Sequence, residues 1–98
     1  MKSAEYYINI LQQHAEVLRT KYGITMMRLF GSVARGEQNT NSDVDLFVEM
    51  PPRLFLIAGA HQYLENLLGC SVDMVRNHSH IDSMLLKQVE RDGIQIIQ

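Results

Sequence analysis

The chain is poor in the features that would place it outside an ordinary folded domain. It has one cysteine, two prolines and no tryptophan. A single thiol, Cys70, excludes an internal disulfide framework and suits a reducing compartment; in an apolar setting it reads as a small buried hydrophobe rather than a reactive nucleophile. The longest apolar block, Leu54 to Ala60, is far too short to cross a bilayer. The opening segment MKSAEYYINILQQ is interrupted by Glu5, Asn9, Gln12 and Gln13, so it lacks the apolar core of a signal peptide. Charge is nearly balanced, with 9 Lys and Arg against 11 Asp and Glu. No overall basic field exists, and direct nucleic-acid contact is not expected. A soluble cytoplasmic protein with no membrane contact is the expectation.

What the chain does contain is enough apolar material for one core. At 98 residues and 46% hydrophobic content, it forms a single domain over residues 1–98, with little room for a separate substrate lobe. Apolar residues at spacings of three and four, Tyr7, Ile10, Leu11, Val17 and Leu18, predict one amphipathic helix from Ser3 to Tyr22, ended by Gly23. Ile24–Phe30 reads as a buried strand bounded by glycines, followed by a short helical turn, and the polar stretch 39–42 as loop. Asp43–Val48 alternates, placing Val44, Leu46 and Val48 on one face and Asp43, Asp45 and Phe47 on the other. Pro51 and Pro52 stop that strand. A helix follows over Arg53–Leu68, a strand over Ser71–Val75, a helix over Ile81–Arg91 with Ile81, Met84, Leu85 and Val89 on one face, and a last strand over Ile94–Ile97. This order predicts an α/β or α+β domain, a mixed β-sheet flanked by helices. No internal repeat or low-complexity linker is present.

The stretch GSVARGEQNTNSDVDLFVEM, from Gly31 to Met50, carries the chemistry. Asp43 and Asp45 share a strand face about 6 to 7 Å apart at the backbone, so their carboxylates can converge on a cation. Mg²⁺ suits such a pair, because it takes carboxylate oxygens and completes its shell with phosphate and water. If the strand over 71–75 pairs beside this one, Asp73 projects from the same face. Three carboxylates can then hold two metals about 3.5 to 4 Å apart. Gly31 lets backbone approach a ligand, and Ser32 offers a hydroxyl and an amide where backbone donors bind phosphate.

Gly31-Ser32, ten intervening residues and Asp43-Val44-Asp45 together resemble the signature of the polymerase-beta-like nucleotidyltransferase superfamily, and GSVARGEQNTNSDVDLFV is similar to its minimal members. The resemblance covers about residues 24 to 75. It implies a nucleotidyltransferase fold, metal ligation by Asp43, Asp45 and Asp73, triphosphate contact by Gly31 and Ser32, and Asp73 as a base for the acceptor hydroxyl. Members transfer a nucleoside monophosphate from a triphosphate and release pyrophosphate. Minimal members commonly act as antitoxins, placing AMP from ATP on a tyrosine of a HEPN-domain ribonuclease toxin. The absence of the helical domain found in larger members implies that a protein partner or a second copy completes the site.

Other residues keep two readings. Arg35 reaches a triphosphate or is an ordinary surface arginine; Ser42 contacts phosphate or closes a turn; Ser32 caps a helix, binds phosphate, or does both. His78, His80 and Asp82 lack the further ligands of a zinc site. His14 and His61 lie within helical patterns, and Met26, Met27, Met74 and Met84 fit core filling. Tyr6, Tyr7 and Leu11, and the Leu54–Ala60 block, serve either core or partner interface. Two rival functions stand beside protein adenylylation: an antitoxin that acts by occlusion with little catalysis, and transfer to a small molecule such as an aminoglycoside.

Overall fold

A computed structural model describes residues 1–98. Helix α1, Ala4–Gln13, begins where the Ser3 hydroxyl accepts the Tyr6 N–H at 3.3 Å. The single helix expected from Ser3 to Tyr22 is in fact two, because the chain breaks at His14. Its N–H is shared between the Ile10 and Leu11 carbonyls, each at 3.2 Å, and its ring Nδ1 takes the Ile10 carbonyl at 2.9 Å. A carbonyl claimed by a side chain no longer serves a clean ladder. Helix α2, Ala15–Tyr22, buries Leu18 and Tyr22. Val17, expected in the buried stripe, is 38% exposed.

Strand β1 spans Met26–Phe30, two residues shorter than expected, since the Ile24 N–H closes the preceding helix by bonding the Leu18 carbonyl. Helix α3, Gly31–Arg35, leads by a loop to β2, Val44–Glu49. Helix α4, Leu54–Leu68, crosses to β3, Val72–Arg76. Helix α5, Ser83–Asp92, starts after Asp82, whose carboxylate accepts the Met84 N–H at 3.1 Å, so Ile81 lies ahead of it. Strand β4, Ile94–Ile97, ends the fold.

The four strands lie in the order β3-β2-β1-β4. β1 is antiparallel to both β2 and β4, whereas β2 and β3 are parallel, as a crossover through a helix requires. The sheet is mixed and flanked by helices, as expected. Val44, Leu46 and Val48 are fully buried with Met27 and Leu29 in the main core, which also takes Leu11, Leu18 and Leu64 from α1, α2 and α4. On the other face Phe30 and Phe47 meet edge to face, with ring centroids 6.5 Å apart, beneath Val89 of α5. Met84, expected to fill core, is instead 76% exposed. It precedes Val89 by five residues, about 140° around the helix, while Leu85 and Leu86 fall on the packed side. Leu54, from the block left between core and interface, is 75% exposed at the start of α4. No helix is long and apolar enough to cross a membrane.

Candidate active site

The acids gather where the strand register puts them. β1 and β2 pair Phe30 with Asp45, so Asp45 lies against the turn that follows β1. That turn begins at Gly31, with φ +74°. A Cβ there would run into the Asp45 carboxylate, its Cγ only 2.8 Å away. Glycine at this position therefore meets two demands, the backbone angle and the space the carboxylate occupies. Across the parallel pair, Asp45 lies in register with Asp73, and both project from the face opposite the main core.

Burial, then the negative charges of Asp73 and Asp43, and hydrogen bonding with Asp73 push the Asp45 carboxyl up to about 6; Arg35 opposes this weakly. Asp43 lies just ahead of β2, exposed, at the rim of a cavity of about 710 Å³ that also touches Tyr6, Ser42 and Cys70. Burial holds the Cys70 thiol above its ordinary range, in keeping with an inert structural residue. No group of three or more His, Cys, Asp or Glu is drawn together tightly enough to hold a metal ion by itself. The structure thus joins Gly31, Asp45 and Asp73 and leaves Asp43 beside them, acting through its charge.

Ser32 is the second residue of α3, and Phe30, with extended backbone, holds the cap position without a side-chain bond. The Ser32 hydroxyl is not spent on capping. The Arg35 guanidinium faces two acids, with Nε donating to Glu37 at 2.6 Å and Nη1 at 3.6 Å from Asp92. The hydrogen bond to Glu37 is the main reason its pKa is raised. The Ser42 hydroxyl accepts the Asn39 N–H at 3.0 Å and closes the turn before Asp43. His78 accepts the His80 N–H at 3.1 Å within its own loop. Sequence reasoning passed over Glu65 and gave His61 no role. Their spacing of one helical turn was the available signal.

A family model described as nucleotidyltransferase domain matches residues 11–96. A Thermococcus cleftensis relative named protein adenylyltransferase MntA is 36% identical over 98 residues, 98% of this chain and 98% of that one. A solved structure described as a candidate minimal nucleotidyltransferase matches with a TM-score of 0.76 and 34% identity, covering 95% of each chain. A crystal structure of a toxin–antitoxin with AMP-PNP matches with a TM-score of 0.69 and 27% identity, covering 87% of this chain and 71% of that one.

Proposed function

The chain belongs to the nucleotidyltransferase domain family, and on that premise we propose that it moves AMP from ATP to a hydroxyl of a partner protein. The favoured acceptor is a tyrosine of a HEPN-domain ribonuclease toxin, with the chain acting as antitoxin. The relative named MntA and the toxin–antitoxin structure with AMP-PNP support this setting. One observation carries the chemical reading: Asp45 and Asp73 are held side by side against a glycine turn, with Asp43 adding its charge. Like charges gathered in this way are unfavourable alone and favourable around a cation. The donor set is all carboxylate, which fits Mg²⁺.

Asp45 and Asp73, with Asp43 drawn in from the rim and the triphosphate oxygens completing the shell, would hold Mg²⁺, two ions on this reading. When bound, these neutralise charge on the phosphate oxygens during transfer. The backbone at Gly31 and the hydroxyl and amide of Ser32 bind the triphosphate. Arg35 exchanges Glu37 for phosphate, and the Ser42 turn fixes the approach of Asp43 to β2. Asp73, exposed on the outer strand, takes the proton of the acceptor hydroxyl at its carboxylate. The acceptor oxygen then bonds to the α-phosphorus as the bond to pyrophosphate breaks. The cavity beside Asp43 falls within the size of small-molecule sites.

A second reading has its own observation. Leu54 and Phe55 are 75% and 91% exposed, an apolar surface that suits neutralisation by occlusion alone. Purified protein with Mg²⁺ and α-phosphate-labelled ATP, with and without the HEPN protein, separates the two. Label on the partner that disappears in Asp43→Asn/Asp45→Asn is the expected result. A stable complex that silences the partner without label would overturn the catalytic reading.

A further inference from the structure

β3 is the outer strand of the sheet, so Asp73 has a neighbouring strand on one side only. The Val44 N–H donates to the Ser71 carbonyl at 3.0 Å, which turns the backbone polar groups of the next residue, Val72, away from β2. On an open edge such groups face water. Here α4 supplies both partners. Glu65 Oε2 accepts the Val72 N–H at 3.0 Å, and His61 Nε2–H donates to the Val72 carbonyl at 2.7 Å. The two side chains are one turn apart on α4 and meet at 3.4 Å between His61 Nε2 and Glu65 Oε2. His61 also forms part of a groove of about 400 Å³ that reaches Asp73 between α4 and β3.

We infer that His61 and Glu65 are positioning residues for Asp73. Together they bracket the peptide groups on either side of Val72, replace the missing outer strand, and hold the following carboxylate beside Asp45. Neither touches a reacting atom. The inference rests on the adenylyltransferase reading above, in which Asp73 takes the acceptor proton. Its cost on removal should therefore fall on the transfer step and spare ATP binding, because Gly31 and Ser32 lie on a different turn of the fold.

The test compares four variants of the full chain. Gln at either position keeps the needed group at nearly the same reach, an N–H at 61 and a carbonyl oxygen at 65, whereas Asn at 61 and Asp at 65 fall short. In His61→Asn and Glu65→Asp, kcat should drop about tenfold, the scale on which supporting partners act. KM for ATP should stay at the wild-type value, and hydrogen exchange at the Val72 amide should speed up. His61→Gln and Glu65→Gln should keep both kcat and protection. The inference is overturned if all four transfer as wild type does, if the Gln variants lose as much as the short ones, or if kcat holds while Val72 exchange rises. A wild-type chain that labels no partner sinks the functional reading itself and this role with it. Active wild type with unaffected variants sinks only the bracket.

Discussion

Burial and the charges of Asp73 and Asp43 hold the Asp45 carboxyl at about 6, against an ordinary 3.8. Between those values the folded chain binds more protons than the unfolded one, so stability falls as pH rises through the window and stays lowered above it. Asp45→Asn removes that penalty. At pH 7 it should stabilise the metal-free protein by about 1 kcal/mol, a figure discounted for partial exposure. Below about pH 4, where the carboxyl is protonated in both states, the gain should vanish. Urea unfolding at the two pH values reads this, and an equal gain at both would place its cause outside ionisation. Gly31→Ala combines a left-handed backbone with a collision at the Asp45 carboxylate. It should cost about 1–3 kcal/mol and abolish labelling of the partner. Gly36 is the control, since it has φ +72° with nothing within 4 Å of an added Cβ. Gly36→Ala should lower the melting temperature while leaving transfer intact, and a Gly31→Ala that still labels the partner would remove the steric argument.

Among the elements, α5 buries one residue fully, Val89 over Phe30 and Phe47, with Leu85 and Leu86 partly buried beside it. Val89→Ala should cost about 2 kcal/mol, with faster hydrogen exchange along α5 than along α4. Uniform acceleration across both helices would show that α5 is not a separate weak point. The strands were legible because glycines and prolines bound them and because Val44, Leu46 and Val48 alternate with Asp43, Asp45 and Phe47. Pairing of the third strand beside the second was also within reach, and the register Asp45 to Asp73 agrees with it. The break at His14 was not legible, since a ring nitrogen taking the Ile10 carbonyl depends on a rotamer and leaves no periodic trace. Met84 was misplaced because an apolar residue at the start of a helix fits two faces until the cap at Asp82 fixes where turning begins. The motif suggested what Gly31 is for. Only the pairing of Phe30 with Asp45 shows which side chain would collide there.

At the scale of the molecule, α1, α2, α3 and α4 all pack into the core on one face of the sheet, and α5 covers part of the other. The acids emerge on that second face, and on the proposed reading another protein presents the acceptor there. The parallel pairing of β2 with β3 also orders events in time. The turn of Gly31 beside Asp45 belongs to neighbouring antiparallel strands, a local contact that forms early in a folding chain. Asp73 arrives only after α4 has crossed and the outer strand has docked, a closure over a longer loop. β4, joined to β1 across residues 27 to 97, closes a longer loop still. On the adenylyltransferase reading, the local hairpin alone does not assemble the paired acids, so a chain whose outer strand has not docked should transfer no AMP.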